Sequence, residues 1–217
     1  MSFGLILKIV GIILLCLVLF FAWKFFIRFL PFIPHERITI SLPFSKEDDS
    51  LIFINPMGET DHHKPPNGHP GLDFAWKHKA PLIAATDGKI TRIEEHPPGG
   101  FGETEKIYDV ELVNGIYAIR YSEMKPAENL KVGMRISKGD VIGRGGEYNQ
   151  SGGGLGLHYS FHWEFDYDSV IFDRLCPLTY FDSDSLSRIQ DIWKKVGDTY
   201  KGQFPDICNG FYKDKNE

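Results

Sequence analysis

Two histidines and one aspartate are the residues of this sequence whose types and positions best suit chemistry. His69 and Asp73 lie in the stretch Asn67-Gly-His-Pro-Gly-Leu-Asp-Phe74, and His162 lies in Ser160-Phe-His-Trp-Glu164. Two imidazoles and one carboxylate suit a Zn²⁺ ion that keeps a fourth position open for water. The His-x₃-Asp spacing also occurs by chance in loops, so the predicted zinc site depends on the residues that surround it.

Glycine-bearing blocks follow the first of these stretches. Gly-Leu-Asp-Phe-Ala leads into residues 80–90, and a second block covers residues 130–143. Over roughly residues 51 to 181 this order of blocks resembles the lysostaphin-like zinc endopeptidases, which cut peptide bonds in bacterial cell-wall peptidoglycan. The resemblance implies that His69, Asp73 and His162 are zinc ligands and that peptidoglycan peptide is the substrate or ligand.

One departure from the family lies on the His162 strand. Side chains two apart in a strand share a face, so His158, Ser160, His162 and Glu164 project to one side. The family strand has the form His-x-His-Phe-Glu, in which the second histidine binds zinc and the first assists catalysis. Matching Glu164 to its end places Ser160 at the catalytic histidine position. The other register makes His158 catalytic and Ser160 a ligand, although a serine hydroxyl is a rare zinc ligand.

The second departure lies in Tyr121-Ser-Glu-Met124. The corresponding family pattern is Tyr-x-His-Leu, which places Glu123 where the other catalytic histidine belongs. Both catalytic histidines are then replaced while all three ligands remain. Glu123 can act as the general base, as a carboxylate does in other zinc peptidases, and His158 can assist if the strand bends inward.

Two functions follow from these departures. The first is a zinc endopeptidase whose active site uses different residues. The second is a zinc-binding but catalytically degenerate domain that binds cell-wall peptide or regulates another hydrolase. The neighbouring pair His62-His63 is interpreted as solvated loop histidines rather than as ligands.

Composition narrows the class of protein. The chain has 217 residues and a net charge of -5, which argues against a nucleic-acid-binding protein. Its 22 glycines and 13 prolines indicate many turns. We therefore predict an all-β fold, a compact antiparallel sheet or barrel-sandwich-like domain of short strands. The block at 132–143 also resembles biotinyl and lipoyl carrier domains, but a carrier needs its modified lysine on a hairpin after that block, and Lys125 precedes it.

The N-terminal segment differs in composition from the rest of the chain. Residues 3–26 are almost entirely apolar and are long enough to cross a bilayer core of about 30 Å as a helix. No small-x-small cleavage site follows, which disfavours a signal peptide. We predict a single-pass membrane anchor. By charge alone, Lys24, Arg28 and Arg37 after the apolar run would place the C-terminal domain in the cytoplasm. The resemblance outweighs this, because peptidoglycan lies outside, and places the domain outside the cytoplasm.

The predicted organisation has four parts: an anchor at 1–33, a linker and lead-in strand at 34–50, the lysostaphin-like domain at 51–182, and a C-terminal helix and tail at 183–217. Strands are predicted at 37–42, 51–55, 89–94, 107–113, 116–121 and 141–142, with a flexible glycine loop at 145–156. Helical periodicity follows Ser183 or Ser185 as N-cap. Cys176 and Cys208 either form a disulfide in an oxidising compartment or remain two buried thiols. The sequence does not indicate an oligomeric state.

Overall fold

The structure is a computed structural model, and it describes residues 3–29, 37–44, 51–58, 60, 63, 68–150, 155–167, 174–196 and 206–208. The chain divides into two compact units, Met1–Arg37 and Ile38–Glu217. The first unit holds helix α1 (Phe3–Phe29), so the apolar run is helical as its composition indicates. Among the residues that the structure describes, no helix meets the combined length and hydropathy needed to cross a membrane.

The second unit is built on one antiparallel sheet, which confirms the predicted all-β character. Its strands are β1 (Leu51–Asn55), β2 (Leu72–Trp76), β3 (Pro81–Ile83), β4 (Gly88–Glu95), β5 (Tyr108–Asn114), β6 (Tyr117–Pro126), β7 (Arg135–Ile136), β8 (Val141–Gln150) and β9 (Gly156–Tyr167). The order in the sheet is β1-β2-β9-β8-β6-β5-β4-β7, with β3 paired to β8 and a further pairing of β6 with β9.

Strand β9 carries His162 and has three neighbouring strands. Strand β2 pairs along one edge, with Asp73 opposite His162. Along the other edge β8 pairs with the first half of β9, and β6 pairs with the second half up to Ser122 opposite His162. Beyond this point β6 pairs with β8, from Met124 opposite Gly145. Glu123 therefore lies where β6 changes partner, directly beside the His162 position.

The prediction of a flexible loop at 145–156 is wrong at the glycines of β8. Residues 145–150 belong to a paired strand, and residues 151–154 lie outside the described residues. A Cβ on Gly145 would lie 2.9 Å from the Ser160 carbonyl oxygen, and one on Gly146 would lie 2.5 Å from the Glu123 carbonyl oxygen. These glycines permit close approach of neighbouring backbones, so here the residue type indicates tight packing rather than flexibility.

Other sequence predictions have mixed outcomes. The hairpin predicted at Asn114-Gly115 is confirmed, since β5 ends at Asn114, β6 begins at Tyr117, and Gly115 has a φ of 61°. The predicted strand at 37–42 is wrong: residues 37–44 make only isolated bridges, at Ile40 and Phe44. Ile40 bridges Phe181 and Phe44 bridges Leu82 of β3, so this segment joins the domain through single bridges rather than through a ladder.

The core packs against one face of the sheet and is covered by the C-terminal elements. Its largest fully buried side chains include Trp76, Trp163, Tyr121, Phe74 and Phe161. Helix α2 (Ser183–Val196) contributes Ile189 and Ile192, which are buried, and so confirms the predicted amphipathic helix.

The N-cap of α2 and the two cysteines are settled by the structure. The N-cap is Asp182, whose Oδ1 accepts a hydrogen bond from the Ser185 backbone at 2.8 Å, rather than Ser183 or Ser185. A disulfide joins Cys176 to Cys208, so of the two alternatives for these residues the bonded pair is the one present.

Candidate metal centre

The three predicted ligands converge at the edge of β2 and β9. Asp73 and His162 lie opposite each other in the two strands, and His69 precedes β2 in a segment held to Gly58 by two backbone hydrogen bonds. His69 Nε2 lies 3.2 Å from Asp73 Oδ2, and His162 Nδ1 lies 2.6 Å from Asp73 Oδ1. Ligand atoms of the three residues all lie within 4.8 Å of one another, close enough to hold one metal ion.

The outer nitrogens of both histidines show that the donor set fits a metal. His69 Nδ1 donates to the Pro56 carbonyl oxygen at 2.7 Å, and this leaves Nε2 as the inward atom. His162 Nε2 donates to Glu164 Oε1 at 3.1 Å, and this leaves Nδ1 as the inward atom. Metal-binding histidines commonly donate their second N–H to a carbonyl or carboxylate in this way, which fixes the tautomer and the ring orientation.

The protonation of the metal-free site follows from its partners. Burial would raise the pKa of Asp73, but the charge of His69 and hydrogen bonds from both histidines outweigh burial and hold this pKa well below its usual range. Burial would lower the pKa of His162, but hydrogen bonds to Asp73 and Glu164 raise it to about 10. A proton on His162 Nδ1 therefore occupies the position where a cation would bind between the imidazole and the carboxylate.

Two further groups hold these ligands from outside. Asn55, at the end of β1, donates its side-chain N–H to Asp73 Oδ2 at 2.9 Å. Glu164 is held in turn by Arg120 at 3.2 Å and by Arg174. Burial would raise the pKa of Glu164, but the His162 hydrogen bond and the arginine charges lower it to about 2, so it stays an acceptor.

Glu123 faces the same site across the sheet. It is the one non-glycine residue with positive φ in the described part of the chain, at 61°, because β6 changes partner there. The Tyr148 hydroxyl donates to Glu123 Oε2 at 3.0 Å. Burial and the nearby Asp73 charge raise the pKa of Glu123. Burial and Glu123 also raise the pKa of Tyr148, which therefore remains a hydrogen-bond donor.

Ser160 and His158 lie further along β9. Ser160 is paired to Gly146 on one side and to Ala75 on the other, and it is half-buried. His158 is buried, its Nδ1 donates to the Gly156 carbonyl oxygen at 2.9 Å, and its ring stacks on Tyr148 with centroids 5.5 Å apart. His158 thus contacts the tyrosine that holds Glu123.

These residues line one open groove of about 820 Å³. The groove residues are Phe53, Asn55, His63, His69, Pro70, Asp73, Ala75, Phe101, Glu123, Tyr148, Gln150, Leu155, His158, Ser160 and His162. His63, interpreted from sequence as solvated, lines the groove with its ring 4.8 Å from that of His69 and its Nδ1 3.1 Å from Thr60 Oγ1. His62 lies outside the described residues.

Sequence reasoning missed several of these residues. Asn55 and Tyr148 are common residue types in strands, and nothing in their spacing marks them. His96 carries a stronger signal as one of eight histidines, yet its partners Asp109 and Glu123 are distant in sequence. Only the pairing of β4, β5 and β6 brings the three side chains together.

Similarity to known proteins agrees with this geometry. Residues 67–169 match the model of peptidase family M23. No curated protein sequence matches the chain.

Three solved structures illustrate the likeness. Csd3 of Helicobacter pylori is 22% identical with a TM-score of 0.45, over 77% of this chain and 44% of Csd3. LytU is 28% identical with a TM-score of 0.43, over 63% of this chain and 89% of LytU. The catalytic domain of lysostaphin from Staphylococcus simulans is 19% identical with a TM-score of 0.43, over 59% of this chain and 91% of that domain.

The family match is specific to the part of the chain that carries the site. It begins at residue 67, two positions before His69, and ends at residue 169, after strand β9. The alignment with Csd3 spans less than half of that protein. Residues 67–169 of this chain match peptidase family M23, in agreement with the lysostaphin-like resemblance of the sequence.

Proposed function

We propose that this protein is a membrane-anchored, zinc-dependent endopeptidase that hydrolyses peptide bonds in bacterial cell-wall peptidoglycan. The observation that carries the proposal is the groove itself. The inward nitrogens of His69 and His162, the Asp73 carboxylate and the Glu123 carboxylate all face this one open cleft of a family M23 domain.

His69, Asp73 and His162 are the residues that would hold zinc in this groove. When bound, zinc would act as a Lewis acid that polarises a peptide carbonyl and acidifies a water molecule. Pro56 and Glu164 keep the two imidazoles in the tautomers that such binding needs. Asn55 restrains the Asp73 carboxylate, so the ligand set is preorganised before an ion arrives.

Glu123 is the proposed general base. Its pKa is raised by burial and by Asp73, which brings the proton affinity of this carboxylate closer to neutral pH, where general bases are most effective. The hydrogen bond from Tyr148 holds one oxygen and leaves Oε1 to receive the proton of the attacking water.

Ser160 and His158 have supporting roles in this proposal. Ser160 lies two residues before His162 on β9, and both side chains line the groove. The Ser160 hydroxyl is therefore available to donate a hydrogen bond to a developing oxyanion. The Nδ1 of His158 is engaged by Gly156, so the ring supports Tyr148 through stacking.

The membrane anchor and the compartment are further parts of the proposal. The apolar residues 3–26 support an anchor. The Cys176–Cys208 disulfide supports an oxidising, extracytoplasmic location for the domain, where peptidoglycan lies. Protease accessibility in intact cells tests this placement. Digestion of the domain without lysis is expected, and protection until the inner membrane is broken would contradict it.

Metal analysis of the purified full-length chain tests the zinc site. About one zinc per chain is expected, and His69→Ala or His162→Ala should abolish it, because each removes one of three ligands. His78→Ala, an exposed histidine outside the groove, is the matched control and should keep zinc. Full zinc occupancy in both ligand variants would refute the assignment.

Digestion of purified peptidoglycan by Glu123→Gln tests the base. The variant should retain zinc and lose about 10²- to 10⁴-fold in rate, since the amide accepts no proton. Glu95→Gln, an exposed glutamate on β4, should digest at the wild-type rate. Zinc binding by the wild-type chain with no digestion would favour instead a catalytically degenerate domain that binds cell-wall peptide or regulates another hydrolase.

A further inference from the structure

A second cluster of titratable side chains lies next to Glu123 and does not line the groove. His96 follows β4 directly, and its backbone N–H donates to the Ile107 carbonyl oxygen at 2.9 Å. Its Nδ1 lies 2.9 Å and 3.1 Å from the two oxygens of Asp109 on β5. Its Nε2 lies 3.9 Å from Glu123 Oε1. One imidazole thus stands between two carboxylates.

The orientation of this imidazole is determined by Asp109. A carboxylate only accepts hydrogen bonds, so the nitrogen that faces both Asp109 oxygens carries hydrogen. This fixes the ring plane and leaves Nε2 facing Glu123 Oε1 at 3.9 Å, an ion-pair contact that attracts the carboxylate when the ring is protonated. The Glu123 carboxylate is then approached on both oxygens, by Tyr148 at Oε2 and by His96 at Oε1.

Glu123 needs such support because its backbone is strained. A non-glycine residue at positive φ persists only where its surroundings hold it in place. Gly146 packs against the Glu123 carbonyl oxygen and holds the backbone, but the flexible side chain also requires a fixed direction. His96 comes from the segment directly after β4, Asp109 from β5 and Tyr148 from β8.

We propose that His96, oriented by Asp109, is a positioning residue that holds Glu123 Oε1 toward the groove. This inference rests on the proposed function, in which Glu123 is the general base. His96 touches neither substrate nor metal in this role. Loss of His96 leaves the zinc ligands in place and lets the Glu123 carboxylate rotate away from the attacking water.

The experiment compares four full-length proteins: wild type, His96→Ala, Asp109→Asn and Glu95→Ala. Glu95 neighbours His96 on β4 and pairs with Lys106 on the surface, so its variant is a matched control for loss of a charged contact on the same hairpin. Zinc content, unfolding temperature, kcat and KM on soluble peptidoglycan peptides are measured for each protein. His96→Ala should lower kcat by roughly 10- to 100-fold with KM and zinc unchanged, as is typical for loss of an outer support in an active site.

Asp109→Asn should lower kcat less than His96→Ala does, because the ring stays but its orientation loosens. Glu95→Ala should match wild type in every measurement. Wild-type kcat in His96→Ala, or equal losses of kcat and unfolding temperature in His96→Ala and Glu95→Ala, would overturn the proposal.

A second measurement does not depend on hydrolysis. The side-chain carboxyl signal of Glu123 is followed by ¹³C NMR over a pH titration, with Asp73, His162, His96, Asp109 and Tyr148 as the facing groups. In His96→Ala the Glu123 signal should titrate at higher pH than in wild type, and in Glu95→Ala it should not move. An unchanged Glu123 titration would overturn the positioning role. Absence of hydrolysis by wild type, with the Glu123 titration shifted in His96→Ala, would refute the endopeptidase and leave the positioning role intact.

Discussion

At the scale of single residues, the lysostaphin-like resemblance predicts a site in which oxygen-bearing side chains replace the two catalytic histidines. Glu123 stands where a catalytic histidine is expected, and Ser160 stands where the other is expected. An imidazole and a carboxylate both serve as general bases, but their pKa values differ in water, near 6.5 and 4.3. Burial and the Asp73 charge compensate by raising the pKa of Glu123, and they outweigh the lowering effects of Tyr148, His162 and His96.

This environment predicts the pH dependence of hydrolysis. A general base must be ionised, so kcat/KM should fall as the pH drops through the pKa of Glu123, which burial and the Asp73 charge raise above the ordinary glutamate value. Tyr148→Phe removes a hydrogen bond that favours the ionised form, and it should therefore move the fall to still higher pH.

The pH profile of kcat/KM for wild type and the variant is the measurement. Tyr159→Phe is its control, because Tyr159 donates to Glu147 outside the groove. If kcat/KM falls at the same acidic pH in Tyr148→Phe and in wild type, Glu123 is not the group whose protonation limits the rate.

At the scale of elements, the site depends on how closely β2 approaches β9. Gly71 precedes β2 between His69 and Asp73, and a Cβ at this position would overlap the Trp163 carbonyl oxygen of β9. Only a residue without a side chain lets the two strands meet at the register that places Asp73 opposite His162.

Gly71→Ala should therefore weaken both the fold and the metal site. The overlap is with backbone and cannot be relieved by a rotamer change, so we expect a loss of roughly 1–3 kcal/mol in the free energy of unfolding. Zinc affinity should fall as well, because β2 carries Asp73 away from His162. Denaturant titration and zinc competition measure the two effects. Gly11→Ala, where nothing lies within 4 Å, should change neither, and a wild-type result for Gly71→Ala would contradict the packing argument.

At the scale of the whole domain, the C-terminal tail is joined to the region of the metal ligands. Cys208 is disulfide-bonded to Cys176 and forms a bridge with Met57, whose N–H donates to the Ile207 carbonyl oxygen at 2.8 Å. Met57 follows Pro56, the residue that accepts the His69 Nδ1–H hydrogen bond. The disulfide thus restrains the segment that orients one candidate metal ligand.

Loss of this disulfide should destabilise the domain. Its two cysteines are separated by 32 residues, and closing a loop of that length contributes about 3 to 4 kcal/mol in the chain-entropy model. Cys176→Ser is expected to lower the unfolding temperature and to make it insensitive to reductant. Cys16→Ser, at the exposed free cysteine of α1, should leave the unfolding temperature unchanged. Equal stability of Cys176→Ser and wild type would show that the bond contributes nothing to folding.

The sequence alone determined the features that depend on local spacing. The three ligand candidates, the many-stranded antiparallel fold, the hairpin at Asn114-Gly115 and the C-terminal amphipathic helix all follow from periodicity, turn residues and a family pattern that spans short stretches. Tertiary structure decided the rest. The glycines at 145 and 146 looked like a loop, because a glycine that permits a close backbone approach cannot be distinguished from a flexible one until the neighbouring strand is known. His96 looked unpartnered for a similar reason, since Asp109 and Glu123 reach it only through the pairing of β4, β5 and β6.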